Sequence, residues 1–390
     1  MKFTIPLTAF RESFASALAG ASAGKLAHPL LSHVLCIAEA DGRIVLHGTD
    51  NTKGVIATLL GARVDEPGRA VLHGAVVGSF LQVNDGELTV KAGASLVKLQ
   101  ADGGECRPPL LKDGEYPVNT TPERATAAAT VLAEDLLTAV RRSAFAASDD
   151  VVEDKSGTVK TRGVLIQVAG TALRIAGMHA NLAAITRCPA TVHQPAEAMV
   201  SAATLGLIRK SIPKGGEPVQ VKFLGDEQGI AAVVFETAKS TLWVSALAQK
   251  APPVAKLIPA KDAVPLFRTT DAGPLFAANA RALVTISTES QRGKFTFDAG
   301  GCEVKTGSPE RGESAVQFAL PEYTGSPVSV DFLAPSVHQI GQGLKREDGT
   351  RAEVHRIGSG LRLIVRYGTD ESGGLAVLMQ MADEKTESPE

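Results

Sequence analysis

Apolar residues in this chain follow two rhythms. In six short segments they recur every three or four positions, the spacing of one helix face. One set is "LTAFRESFASALAG" (7–20), "AEDLLTAVRRSAFAAS" (133–148) and "GPLFAANARALVTIS" (273–287). Its expected inward stripes are Phe10, Phe14 and Leu18; Leu132, Leu136 and Val140; and Phe276, Ala280, Leu283 and Val284. The other set is "GAVVGSFLQV" (74–83), "SAATLGLIRKSI" (201–212) and "LAPSVHQIGQGL" (333–344), with stripes Leu205, Ile208, Ile212 and Leu333, Val337, Ile340, Leu344. Segment 74–83 holds two glycines and is the weakest helix former of the six.

Elsewhere apolar and polar residues alternate, the period of a half-buried strand, broken by turn signals such as Asp41-Gly42, Asp85-Gly86 and Gly300-Gly301. "GELTVKAGASLVKLQADG", "VQVKFLGDEQGIAAVVFET" and "RAEVHRIGSGLRLIVRY" read as antiparallel hairpins. The strand pattern "VLCIAEADGRIVLHGTDNTKGVIAT" (34–58) is echoed at 164–186 and more faintly at 294–318. Gly48, Gly177 and Gly307 punctuate the three at roughly 130-residue intervals, far longer than solenoid repeats. A period of domain size implies tandem copies of one fold. Each copy would set two helices on antiparallel sheets, an α+β architecture. Proline-bearing connectors around 107–126 and 250–265 divide the chain into 1–126, 127–252 and 253–381, followed by a polar tail, 382–390.

Composition narrows the function. The 390 residues are 44% hydrophobic and 21% charged, an ordinary globular balance. No apolar run approaches the ~18 residues of a membrane span, and "MKFTIPLTAF" alternates like a strand instead of forming a signal peptide. Cytoplasm is the default. Cys36, Cys106, Cys188 and Cys302 are scattered without CxxC spacing, as reduced packing residues would be. A formal net charge of −2 argues against a conventional DNA-binding domain but allows basic residues to gather on one face.

Three such copies, opening with "MKFTI" and carrying "GTD" (48–50) after a strand, resemble the bacterial DNA polymerase III beta subunit family, the sliding clamps. "HPLLSHVLCIAEADGRIVLHGTD" is similar to the family's first strand pair, "APPVAKLIP" (251–259) to its second connector and "GGLAVLMQM" (373–381) to its terminal strand. The resemblance implies that each chain forms half of a ring. Two copies would join head to tail as a homodimer around double-stranded DNA, without sequence preference, near the nucleoid. It further implies no catalytic activity and no cofactor. Short peptide motifs of the polymerase III catalytic subunit and of the clamp loader are the expected protein partners; a membrane is not.

A ring held on DNA by topology needs a smooth positive lining more than tight phosphate contacts. Arg11, Arg141, Arg142, Arg209, Lys210, Arg281, Lys345 and Arg346 lie on or beside the six helices and are the candidate lining. Lys25 matches a basic position near DNA in the family. Arg292, and Lys155, Lys160 and Arg162 in a loop unlike the family's, are further candidates. The resemblance also carries over a hydrophobic peptide pocket: Leu182, Pro252, Lys256, Leu257, Val377, Leu378, Met379 and Met381. Leucine and methionine suit a groove that accepts several peptides.

The pocket motif departs from the family. Before Leu182 stand Gly177, Met178, His179, Ala180 and Asn181, so the usual histidine and arginine become Ala180 and Asn181. A second family arginine is Lys256, which lacks bidentate geometry. The tail carries four acidic residues. A diverged paralogue with an altered partner set is therefore an alternative. A metal-dependent enzyme on a repeated α+β scaffold is a weaker one, resting on uncommitted histidines and acids. The eight histidines form no HxH or HExxH, and Asp149, Asp150, Glu153 and Asp154 read as a solvated loop. Gly20 to Lys25 is one residue short of a phosphate-binding loop and follows a helix, where that motif needs a strand. No GxSxG element occurs.

Overall fold

The computed structural model describes residues 1–21, 29–111, 116–118, 121–151, 161–226, 229–251, 256–260, 262–320, 324–345, 347, 349–358, 360–368 and 373–381. One order of elements occurs three times: strand, helix, five strands, helix, three strands. The first copy runs β1 (Lys2–Pro6), α1 (Leu7–Gly20), β2 (Val34–Ala38), β3 (Ile44–Thr49), β4 (Lys53–Leu59), β5 (Arg63–Glu66), β6 (Gly68–Leu72), α2 (Gly74–Val83), β7 (Glu87–Ala92), β8 (Val97–Ala101) and β9 (Gly104–Cys106). A short turn, α3 (Thr121–Arg124), precedes the second: β10 (Thr126–Leu132), α4 (Ala133–Ser143), β11 (Arg162–Ala169), β12 (Ala172–His179), β13 (Leu182–Pro189), β14 (Thr191–Val192), β15 (Ala196–Val200), α5 (Ala203–Ser211), β16 (Pro218–Asp226), β17 (Gly229–Glu236) and β18 (Ser240–Ser245). The third is β19 (Phe267–Thr269), α6 (Gly273–Ala282), β20 (Arg292–Asp298), β21 (Gly301–Ser308), β22 (Gly312–Phe318), β23 (Thr324–Gly325), β24 (Val328–Leu333), α7 (Ala334–Gly343), β25 (Arg351–Ile357), β26 (Gly360–Tyr367) and β27 (Gly374–Met379). The architecture is α+β, and its strand pairs are antiparallel. All six expected helices form, and 74–83 does so despite its glycines because Val77, Phe80 and Leu81 are buried.

By contacts the chain divides into two compact units. The first comprises Met1–Leu137, Val168–Thr171 and Ala190–Ala248. It holds the sheet β5-β1-β7-β8-β9 and the sheet β14-β10-β16-β17-β18-β4-β3-β2-β6. In the latter, β18, the ninth strand of one copy, pairs with β4, the fourth strand of another, from Ser240 opposite Ala57 to Val244 opposite Lys53. The Trp243 indole lies over Gly54, where any β-carbon would fall 2.5 Å from Nε1. One core gathers Phe3, Phe10 and Phe14 with strand residues Val34, Ile44, Leu46 and Leu99.

The second unit comprises Thr138–Gln167, Ala172–Pro189 and Gln249–Glu390. Its larger sheet runs β11-β12-β13-β27-β26-β25-β19-β23, and its smaller one β22-β21-β20-β24. The same kind of joint recurs: β13, a fourth strand, pairs with β27, a ninth strand, from Leu182 opposite Leu378 to Thr186 opposite Gly374. Phe267, Phe295, Phe297 and Phe332 centre the core.

Two stripes differ from the periodicity. Leu132 ends β10 and is 43% exposed, while Leu136 and Val140 are buried. Helix α6 buries Leu275, Ala278, Asn279 and Ala282 in place of Phe276 and Ala280, and Val284 is 70% exposed. Asn279 is buried on this face with its Nδ2 donating to the Ala334 carbonyl at 2.9 Å, where a helix-interior asparagine reads as surface.

Candidate functional site

The hairpin of β12 and β13 closes through two residues, since His179 pairs with Leu182. Ala180 takes the left-handed conformation there (φ 49°), and its N–H donates to the Thr161 carbonyl at 3.1 Å. β27 lies along β13, and the Met379 N–H donates to the Asn181 carbonyl at 3.0 Å. Between this turn, β27 and the 256–258 segment is a cavity of about 70 Å³. Leu182, Leu257, Val377 and Met379, all expected from the sequence, line it together. Met178, Ala183, Thr161, Ala180 and Asn181 complete the lining. The hairpin register signals Met178 and Ala183, which face each other across the strands; nothing in the local sequence signals Thr161.

The other pocket candidates stand around it. Leu378 is fully buried and belongs to the core behind the sheet, as strand alternation requires. Lys256 is exposed and its carbonyl accepts a 2.7 Å hydrogen bond from Arg362 Nη1. Met381 is half-buried, and its N–H donates to the Asp331 carbonyl at 3.0 Å. Pro252 lies outside the described residues.

The cations fall into two groups. Arg209 and Lys210 in the last turn of α5, Arg281 in the last turn of α6 and Lys345 just beyond α7 are exposed. A cation at a helix C-terminus also meets the negative end of the helix dipole. The rest are engaged internally. Arg11 donates to the carbonyls of Leu81 (2.6 Å) and Asn84 and pairs with Asp85 at 2.9 Å, closing the C-terminus of α2. Arg141 and Arg142 each reach Glu347 at 2.7 Å and hold its carboxyl below the usual range against the opposing effect of burial, and Arg142 also lies over the Tyr367 ring. Arg292 pairs with Asp331 at 3.2 Å. Arg162 donates to the Asp149 carbonyl. Lys25, Lys155, Lys160 and Arg346 lie outside the described residues.

Two grooves flank exposed cations. One in the first unit, of about 520 Å³, is lined by Leu18, His33, Lys53, His73, Leu207 and Lys210. Here the His33 and His73 rings lie tilted at 42° with centroids 4.5 Å apart, and His33 Nδ1 accepts the Gly74 N–H at 3.2 Å. Burial first, then the neighbouring His73, lowers the His33 pKa, which favours the neutral ring. The other groove, of about 580 Å³ in the second unit, lies between α6 and α7 and includes Phe276, His338, Lys345 and Glu347. Gly341 admits Phe276 there, since a β-carbon at 341 would fall 2.8 Å from the ring.

Among the described residues no three His, Cys, Asp or Glu side chains gather as a metal would require. Asp149 and Asp150 are exposed, while Glu153, Asp154 and most of the Gly20 to Lys25 segment lie outside the described residues. Of the described helices, none is long and apolar enough to cross a membrane.

No protein-family model and no curated protein sequence matches this chain. Solved structures do. The DNA polymerase sliding clamp from Bacillus subtilis is similar with a TM-score of 0.81 at 19% identity, covering 98% of this chain and 100% of that one. The DNA polymerase III beta subunit from Thermotoga maritima gives 0.83 at 17% identity, and that from Pseudomonas aeruginosa 0.81 at 17%, with the same coverage. The chain therefore has the fold of a full-length, three-domain clamp protomer at low sequence identity.

Proposed function

We propose that this chain is a DNA sliding clamp: a non-catalytic, ring-shaped homodimer that encircles duplex DNA and tethers the replicative polymerase for processive synthesis. The repeated joint carries the reading. A fourth strand meets a ninth strand at β4 with β18, and again at β13 with β27. The third copy's fourth strand, β22, and the first copy's ninth strand, β9, are sheet ends. Unpaired strand edges seek partners, and β22 of one chain against β9 of a second would repeat the joint and close the assembly head to tail. The domains in this reading are 1–126, 127–252 and 253–381.

Arg209, Lys210, Arg281 and Lys345 offer side chains to phosphate, with Lys25 and Arg346 as further contacts. Arg11, Arg141, Arg142 and Arg292 serve the lining by holding its helices and strands. The cavity around Leu182, Leu257, Val377 and Met379 receives short peptides of the polymerase catalytic subunit and the clamp loader. Its uncharged lining favours a specialised clamp with a narrower partner set over one with the family's usual pocket. Action in the cytoplasm at the nucleoid goes with this role.

The test is retention after loading onto closed circular DNA. The ring is expected to stay on circles and run off once they are cut, and sedimentation should give twice the 40.5 kDa chain mass. Equal retention on cut and closed DNA overturns the proposal.

A further inference from the structure

The groove of about 520 Å³ in the first unit holds a pair of histidines that the clamp reading leaves without a role. Both stand at the start of α2, and both use Nδ1 to accept a main-chain N–H. His33 Nδ1 takes that of Gly74 at 3.2 Å, and His73 Nδ1 that of Val76 at 3.4 Å. A neutral imidazole accepts at one nitrogen and carries its proton on the other, so each ring presents Nε2–H as a donor. Burial and the neighbouring His73 lower the His33 pKa and keep that ring neutral.

The His33 donor is recessed and unused. The residue is only 8% exposed, and among the described residues nothing accepts from its Nε2. A buried N–H without a partner costs free energy that an incoming oxygen offsets. The recess is held in place from two sides. Gly74 packs against the Ser32 carbonyl so closely that a β-carbon would fall 2.3 Å from it, and the Tyr116 hydroxyl donates to the His33 carbonyl at 3.2 Å.

The rest of the groove favours an anion. Lys53 and Lys210 line it, and no carboxylate does. Lys53 pairs with Asp50 at 3.2 Å, outside the lining, while Lys210 is exposed in the last turn of α5. Ala75 adds the first turn of α2, the positive end of that helix dipole. Shape decides which anion fits. A duplex offers phosphodiesters on a broad convex surface, which does not reach the back of a recess. A terminal phosphate projects and brings up to two charges and three acceptor oxygens. The volume falls within the ~300–1,000 Å³ of small-molecule sites, and Leu18 and Leu207 give an organic group an apolar wall.

We infer that this groove binds the terminal phosphate of a small phosphomonoester, held by the Nε2–H groups of His33 and His73 together with Lys53 and Lys210. The site lies in one chain and does not depend on ring formation.

The eight histidines of the chain allow a direct test. With 15N-histidine in the full chain, inorganic phosphate and phenyl phosphate are titrated at constant ionic strength near pH 8, where histidine is neutral. The His33 and His73 Nε2 signals are expected to move together and to saturate with both. Lys210→Met, a change at an exposed side chain, should weaken both ligands about tenfold through the lost charge-assisted hydrogen bond. His73→Phe should weaken them by a similar factor. If that variant moves the His33 signals before ligand is added, Lys210→Met carries the comparison. A blunt duplex with hydroxyl ends should leave the His33 Nε2 signal in place. No saturable movement of that signal with either phosphate compound overturns the site. Equal movement with the duplex also overturns it, by making the groove part of a general lining. Retention on circular DNA reads the ring separately from all of these outcomes.

Discussion

Gly48 on β3 lies against the carbonyl of Ala17 in α1 so closely that a β-carbon at 48 would fall 1.8 Å from the oxygen. Gly177 on β12 repeats the relation, with 2.1 Å to the Ser143 carbonyl at the end of α4. The first helix of a copy thus presses its last turn onto the third strand. Backbone on both sides leaves nothing to yield. Gly307, at the same place in the third copy, has more room: a β-carbon there would lie 3.2 Å from Glu313 Cγ and 3.3 Å from the Gly312 carbonyl.

Alanine at these glycines should therefore separate the copies. Gly48→Ala and Gly177→Ala are each expected to destabilise by about 3 kcal/mol or more through forced backbone displacement. Gly307→Ala, whose nearest neighbours need give only a few tenths of an ångström, should cost no more than about 1 kcal/mol. Urea denaturation of the three variants checks the order, and an equal loss at all three would contradict the packing argument.

Acid should weaken the second unit through Glu353. Desolvation alone would raise its carboxyl pKa, but the His355 hydrogen bond, then Arg366 and Arg268, prevail and hold it at about 2 against an ordinary 4.5. A depressed carboxyl stabilises the fold above its unfolded pKa and loses that contribution as pH falls from about 4.5 towards 2. Because both arginines are partly exposed, the loss should be about 1–2 kcal/mol, well below the full linkage value. Thermal unfolding between pH 6 and 3 should show this slope in the native chain and a shallower one in Glu353→Gln.

Ala180 gives a stabilising change. An L-residue with a β-carbon pays about 1–2 kcal/mol in the left-handed region, and glycine removes that cost while adding some unfolded-state freedom. Ala180→Gly should gain about 0.5 kcal/mol net, read as a higher denaturation midpoint with an unchanged slope.

Under the proposed function, the salt dependence of duplex binding should report the exposed cations. Arg209, Lys210, Arg281 and Lys345 give roughly −4 per chain for the slope of log affinity against log salt, at about −0.9 per contact. The pair Arg209→Ala and Lys210→Ala should reduce the slope by about 2 per chain, whereas Arg11→Ala should chiefly lower stability, by about 1–2 kcal/mol, through the α2 carbonyls it leaves unpaired. Affinity for a fluorescent duplex across a sodium chloride series distinguishes the two.

Local pattern alone determined the six helices, the hairpins, the threefold period and the glycines that mark it, because periodicity and turn chemistry act within a few residues. A resemblance in the order of short motifs brought Leu182, Leu257, Val377 and Met379 forward as one site. Tertiary structure decided which cations are spent: Arg11 and Arg142 read as surface charge until the carbonyls of α2 and the carboxylate of Glu347, distant in sequence, came beside them. It also decided that β4 meets β18 and β13 meets β27, since a strand's pairing edge carries the same N–H and C=O groups whatever its side chains. The pairing of Arg362 with Met379 belongs to this second class, because register is a property of the assembled strands.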